Sequence, residues 1–174
     1  MLVLKTVTFL YRKREDRILA ALNAGQSEAW SCWLTRRMAL LMLERAADLL
    51  ARTSALAQRA PADVRSELVA FERDAAMVNT AKGLNPTPGD VLKSSGTAAE
   101  LLERITISSR RGNFRVELQG ESGGGMAGMI ARDDLQRILQ MLQTEVAKAD
   151  WFSPSATSST TPAIRETWPK PVRH

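Results

Sequence analysis

Cysteine and histidine are almost absent from this sequence, which holds one of each, Cys32 and His174. With one thiol no internal disulfide can form. With one imidazole, at the last position, neither a Ser-His nor a Cys-His nucleophile pair has its base. A zinc site made of cysteine and histidine ligands is ruled out for the same reason. The sequence therefore predicts a protein that is not an enzyme and has no catalytic residues, no cofactor and no bound metal.

Long hydrophobic runs are also missing. The longest, from Met38 to Leu43, is far shorter than the roughly 20 apolar residues of a membrane-spanning helix. Residues 1–11 alternate polar and apolar side chains and lack a small-residue cleavage site, unlike a signal peptide. We therefore expect a cytoplasmic protein without a membrane span.

Charge is distributed unevenly along the 174 residues, whose net charge is +5. Residues 1–14 carry four basic side chains and no acid, whereas residues 15–152 carry 17 basic and 18 acidic side chains. The body of the chain is thus close to neutral. Its composition does not by itself predict a domain that binds polyanions over its whole surface.

Alternation of polar and apolar residues predicts six strands, at residues 2–11, 17–22, 29–34, 101–109, 114–119 and 126–130. In the first strand Val3, Val7 and Phe9 are expected on one face. Stretches rich in leucine and alanine predict helices over 36–58 and 132–151, and Pro61 marks the start of a third helix. Glycines and prolines between 82 and 95 predict an irregular connector. The Ser/Thr/Pro-rich residues 153–174 predict a disordered tail.

The order of these elements repeats with an offset of 96 residues. Trp33-Leu34-Thr35-Arg36 falls on Met129-Ile130-Ala131-Arg132, and the apolar positions of the two helices that follow coincide. We therefore expect a single α+β domain over residues 1–152 with two pattern-related β-β-β-α halves, 1–58 and 101–152. Its sheet is expected to be antiparallel with helices packed on it, and residues 59–100 to form an inserted helical hairpin and connector.

This order of elements resembles that of the Pur-alpha and Whirly group of single-stranded nucleic-acid-binding proteins. The resemblance covers roughly residues 1–50 and 101–151 and consists of element order, without a shared sequence motif. The helical hairpin between the halves departs from that pattern. The resemblance implies a fold, and it makes nucleic-acid binding one of the functions to consider.

Two features predict a site for a protein partner or for a second copy of the chain. Helix 36–58 is apolar on more than one side, and Leu40 and Leu41 lie outside a narrow stripe, so we expect a homodimer or a complex. In the tail, Trp168 lies beside prolines and Lys170. A tryptophan in a polar segment is a frequent anchor in coupled folding and binding.

An alternative site for nucleic acid combines aromatic and basic residues, which can stack bases and hold phosphates. Its candidate residues are Trp33, Arg36 and Arg37 with the basic turn Arg12, Lys13 and Arg14. The structural interpretation is that Trp30 belongs to the core, Trp33 covers the other face of the sheet, and the arginines are solvated at the start of a helix. Arginines at the start of a helix oppose the helix dipole, so we expect a bound anion or nearby carboxylates to offset that cost.

Other motifs favour structural roles. The run Gly120 to Gly125 lacks the Lys-Ser/Thr of a phosphate loop and precedes a strand, so it predicts a hairpin. Cys32 alternates with core residues and is expected to be buried. The leading hypothesis is therefore a non-catalytic interaction protein, an assembly subunit or adaptor. The alternative is a sequence-tolerant single-stranded nucleic-acid-binding protein.

Overall fold

The computed structural model describes residues 2–78 and 99–152, without the side chains of residues 66, 73, 77 and 78. The described residues form seven strands and four helices. The strands are β1 (Leu2–Val3), β2 (Val7–Arg12), β3 (Arg17–Leu22), β4 (Trp30–Leu34), β5 (Glu100–Arg110), β6 (Asn113–Gly120) and β7 (Gly125–Ile130). The helices are α1 (Arg36–Thr53), α2 (Ala55–Arg59), α3 (Arg65–Val78) and α4 (Arg132–Lys148).

The seven strands form one sheet in the order β1-β7-β6-β5-β4-β3-β2. The α+β class is confirmed, but the expectation of an antiparallel sheet is wrong, because β4 pairs with β5 and β1 with β7 in parallel. Each half is an antiparallel meander. The long connection after β4 brings the chain back so that β5 runs in the same direction, as crossover connections allow.

The sheet is curled so far that its two edges meet. β1 and β2 lie at opposite edges, yet residues 4–6 alone join them. The four Cα steps from Val3 to Val7 span at most about 14 Å, whereas the edges of a flat seven-stranded sheet lie about 29 Å apart. The sheet therefore wraps into a nearly closed barrel.

Asn23 holds this closure together. Its side chain is fully buried, and its Oδ1 accepts from Lys5 N at 2.8 Å and Thr6 N at 3.1 Å. Its Nδ2 donates to Val3 O at 2.7 Å. The irregular segment bonded to Asn23, residues 4–6, also shifts which side chains of the predicted first strand face the core. Val3 is 57% exposed and faces away from the core, contrary to the expectation that it shares a face with Val7 and Phe9.

Helices α1 and α4 each follow directly from the last strand of a meander and pack on the inner face of the curled sheet. Their buried residues join those of the strands in one apolar core; on the helices these are Ala39, Met42, Leu43, Ala46, Leu50, Leu135, Leu139, Leu142 and Val146. Helix α1 lies along β5 and α4 lies along β2. Each helix thereby lies beside the opening beyond a short parallel seam.

The predicted helix over 36–58 is interrupted at Ser54. Ser54 has extended backbone angles (φ −72°, ψ 117°), and its hydroxyl accepts from Ala57 N, so it ends α1 and caps α2. Helix α3 contacts α4 as well as α1, so the insertion is not a simple hairpin with α1. Phe71 on α3 is 66% exposed.

The strands that precede the two long helices pair in the same register in both halves. Ile18 pairs with Leu34, and Phe114 pairs with Ile130, 96 residues further on. Residues 13–16 form the β2–β3 turn, whereas the β5–β6 turn consists of Arg111 and Gly112, both with positive φ. The second turn is two residues shorter. An origin of the halves by duplication stays a prediction.

We predict that Asn23→Gly lowers the free energy of unfolding by about 2–3 kcal/mol, because buried backbone groups of residues 3–6 lose their partner. Glycine accepts the positive φ of position 23, so the loss reports the side-chain hydrogen bonds. Denaturant unfolding measures the change. Gln26→Ala in the same turn, where the side chain is exposed, should stay within about 0.5 kcal/mol. Equal effects of the two substitutions would contradict the role given to Asn23.

Candidate interaction surfaces

The two arginines that begin the long helices, Arg36 and Arg132, each donate a hydrogen bond to a backbone carbonyl near the end of the other helix. Arg36 Nη2 donates to Trp151 O at 3.1 Å, beyond the end of α4. Arg132 Nη2 donates to Leu50 O at 2.7 Å, near the end of α1. The helices are therefore antiparallel, and each arginine reaches the negative end of the other helix, where a cation is favoured.

Arg132 has further partners that Arg36 lacks among the described residues. Its Nη1 donates to Thr53 Oγ1 at 3.1 Å, and its Nη2 lies 2.8 Å from Glu72 Oε2 on α3. The Glu72 Oε1 atom accepts from the Ser54 hydroxyl at 2.8 Å. This network joins the end of α1 and the start of α4 to the insertion. The electrostatic cost of an arginine at the start of a helix, which the sequence predicts for Arg36, is thus offset within the fold for Arg36 and Arg132 alike.

The residues that flank the basic turn Arg12–Arg14 contact Trp151, whose carbonyl oxygen accepts from Arg36. The ring of Tyr11 contacts that of Trp151 edge to face, with centroids 5.8 Å apart. Asp16 Oδ1 accepts from the Tyr11 hydroxyl at 2.9 Å and from Trp151 Nε1 at 3.3 Å. Sequence reasoning missed Trp151, whose signal was an aromatic residue immediately after an amphipathic helix.

Trp33 lies apart from these basic residues. It packs with Leu19 and Ala21 on the outer face of the sheet, whereas its neighbours Cys32 and Leu34 face the core. Arg37 is exposed. The structure therefore brings Arg36 and the basic turn together but places the predicted stacking ring on another surface, and Trp151 itself is buried.

The two candidate residues of α1 differ in their surroundings. Leu40 packs against the main core, and Leu41 is 38% exposed. Much of the apolar surface of α1 that predicted an oligomer is covered within the chain. Trp168 and Lys170 lie outside the described residues.

Leu41 lines a surface groove between α1 and β5. The groove has a volume of about 260 Å³ and is lined by Leu41, Met42, Arg45, Ile105, Thr106 and Ile107. The β4 strand pairs with β5 only as far as Leu101. Within residues 2–78 and 99–152, no backbone or side-chain group hydrogen-bonds to this edge of β5 beyond that point. The groove thus runs beside an open strand edge.

The matching edge in the first half is hydrogen-bonded to a helix at one position. Tyr11 N donates to Glu145 Oε2 at 2.8 Å, and Glu145 on α4 is buried. Tyr11 pairs with Ile18, and Ser109 pairs with the corresponding Phe114, so Ser109 holds the position of Tyr11 in the second half. The helix residue that corresponds to Glu145 is Leu49, which has no acceptor. At these corresponding positions α4 offers a carboxylate to β2, and α1 offers none to β5.

Neither Cys32 nor a ligand cluster offers a reactive site in the described part of the chain. Cys32 is fully buried, and this burial raises the pKa of its thiol. The ranges 2–78 and 99–152 contain no group of three histidine, cysteine or carboxylate side chains placed to hold a metal ion. No helix among these residues has the length and apolarity to cross a membrane.

Comparison of the chain with protein-family models, curated proteins and solved structures finds no match. The resemblance to the Pur-alpha and Whirly group stays a prediction from element order.

Glu100 joins the two halves where β4 meets β5. Its Oε1 accepts from Trp30 Nε1 at 2.7 Å, and its Oε2 accepts from Ser122 N at 2.9 Å in the β6–β7 turn. The carboxyl group lies over Gly120, where a Cβ would overlap it. The Ser122 side chain lowers the pKa of Glu100 most, burial opposes this, and the Ser122 N–H and the Trp30 indole lower it further.

We predict that Glu100→Gln destabilises the protein at pH 7 and that the difference from wild type shrinks under acid conditions. Because the pKa of the folded carboxyl is lowered, its contribution is present above the ordinary glutamate value of about 4.3. It is lost as the pH falls through the lower folded value. Melting temperatures of both proteins between pH 7 and pH 3 measure this. A difference that stays constant with pH would rule out the charged hydrogen bonds as its cause.

A second prediction compares the two helix-end arginines. Arg132→Met should cost about 2–3 kcal/mol, because it leaves Glu72 partly buried without its cation. Arg36→Met should cost about 1 kcal/mol or less, because Arg36 is exposed and makes one hydrogen bond. Urea unfolding of both variants tests the order. A larger loss for Arg36→Met would contradict it.

Proposed function

We propose that this chain is a non-catalytic interaction protein that binds a protein partner at the groove between α1 and β5. The observation that carries the proposal is the open edge of β5 beside an apolar groove. Exposed strand edges are templates for pairing with another chain, and folds usually cover them. On the corresponding edge of β2, Glu145 binds the N–H of Tyr11, whereas no group among the described residues binds the β5 edge beyond Leu101.

The composition of the groove supports a protein partner. Leu41, Ile105 and Ile107 supply an apolar floor that remains partly accessible to solvent. Its volume of about 260 Å³ is below the range of about 300–1,000 Å³ that is typical of small-molecule pockets. The groove has the size for a large side chain from a partner, with the backbone of that partner alongside β5.

The alternative function, binding of single-stranded nucleic acid, rests on the basic turn Arg12–Arg14 beside Arg36. Binding of this kind combines cations with exposed aromatic rings. The rings beside these cations are Tyr11, which is partly buried against Trp151, and Trp151 itself, which is buried, whereas Trp33 lies on the outer face. The geometry therefore supports the alternative less well than the groove supports a protein partner.

Leu41→Asp should weaken the affinity for the partner at least tenfold. The substitution replaces an apolar side chain of the groove with a charge that must be desolvated when the partner binds. The matched control is Leu56→Asp on α2, since Leu56 is 53% exposed and lies outside the groove. Tagged wild-type and variant proteins are compared in pull-downs from the native cell, with melting temperatures as a check on folding.

Three outcomes would decide against the proposed function. Partner capture that survives Leu41→Asp, or that is lost equally with Leu56→Asp, would show that the groove is not the binding site. Light scattering that shows a dimer dissociated by Leu41→Asp would make a second copy the partner. Binding to a labelled oligonucleotide that weakens steeply with salt would favour the nucleic-acid alternative.

A further inference from the structure

The backbone of β5 presents a regular set of unpaired groups to the groove. The two-residue turn of Arg111 and Gly112 makes Arg110 and Asn113 a hydrogen-bonded pair. From that pair on, the residues of β5 alternate between hydrogen-bonded and non-hydrogen-bonded pairs with β6. The N–H and C=O groups of Ile105, Ile107 and Ser109 therefore point away from β6, toward the open edge. They offer three donors and three acceptors at the spacing that an added strand needs.

In the first half of the fold, the corresponding position binds a carboxylate. There Glu145 binds the backbone N–H of Tyr11, which occupies the position of Ser109. Leu49 provides no such group to β5. An acidic group from outside the chain could make at Ser109 the contact that Glu145 makes at Tyr11.

The charges around the edge also favour an acidic partner. Arg104 and Arg110 are exposed on the strand and Arg111 is exposed in the turn. None of the three has an ion pair within the described residues. The acidic residues nearby on the sheet are Glu103, at the irregularity in β5, and Glu117, which is paired with Arg115. The edge therefore has basic side chains on one side and, on the other, a groove that is mainly apolar and is also lined by Arg45.

We infer that the groove binds an extended acidic peptide segment of the partner, which adds to β5 as a further strand. This inference rests on the proposed function and specifies the chemistry of its partner. Alternate side chains of such a strand point to opposite faces. One set would enter the apolar groove beside Leu41, and the other would carry carboxylates to Arg104 and Arg110.

A second copy of β5 fits this edge poorly. If two β5 strands paired antiparallel with Ile107 opposite its own copy, Arg104 of each chain would face Arg110 of the other. Like charges directly opposite one another destabilise a strand pair. An acidic strand meets the same arginines with opposite charge.

The test is a titration of the ¹⁵N-labelled full chain with the peptide DVEFEVD, followed by NMR at millimolar peptide. We expect the amide signals of Ile105, Ile107 and Ser109 to shift and to become protected from hydrogen exchange, while that of Tyr11 stays unchanged. The double variant Arg104→Glu/Arg110→Glu should weaken binding at least tenfold. The basic peptide KVKFKVK should not bind.

Leu49→Glu is a second variant, which places a carboxylate where Glu145 lies in the other half. It should weaken binding of the acidic peptide by competing for the Ser109 N–H. A melting temperature close to that of wild type shows that each variant is folded.

Failure of this inference differs from failure of the proposed function. Equal binding of the acidic and basic peptides at β5 would overturn the preference for acid but keep the groove as an interaction site. No shift with DVEFEVD at millimolar concentration, or shifts confined to other strands, would overturn the strand-addition model. Loss of partner capture in Leu41→Asp would still stand as a separate result.

Discussion

The rest of the fold depends on the three residues, 4–6, that connect the two edges of the sheet. A connection this short forces a seven-stranded sheet to curl until its edges meet. The curled sheet turns its apolar face inward, where α1 and α4 can bury their own apolar stripes. The buried side chain of Asn23 satisfies the backbone groups that this irregular junction leaves unpaired.

Closure also creates the feature on which the proposed function rests. Each meander ends in a short parallel seam, and a helix lies beside the opening beyond it. The two openings differ in chemistry at one pair of corresponding positions. Glu145 on α4 binds the N–H of Tyr11 at the edge of β2, whereas Leu49 on α1 offers no acceptor to β5. The edge of β5 beyond Leu101 is unbonded within the described residues.

Much of the secondary structure could be predicted from the sequence, and less of the candidate site. The strands at 17–22 and 126–130 and the buried face of α4 follow from periodicity, which is a local property of the backbone. The break at Ser54 was missed because serine is tolerated inside helices, and its capping role depends on the chain beyond it. The roles of Arg36 and Arg132 were not predicted, because their acceptors lie on the other helix, far away in sequence.

The sequence by itself determined the α+β class, the order of the main strands and helices, the buried single cysteine and the lack of a histidine base. These follow from residue counts and from patterns of two or four residues, which do not depend on how distant segments meet. Only the tertiary structure decided that the sheet is mixed and curled, that Trp33 and Arg36 lie on different surfaces, and that the edge of β5 is open. Those features depend on which strands become neighbours, and pairing between strands far apart in sequence is set by packing of the whole chain.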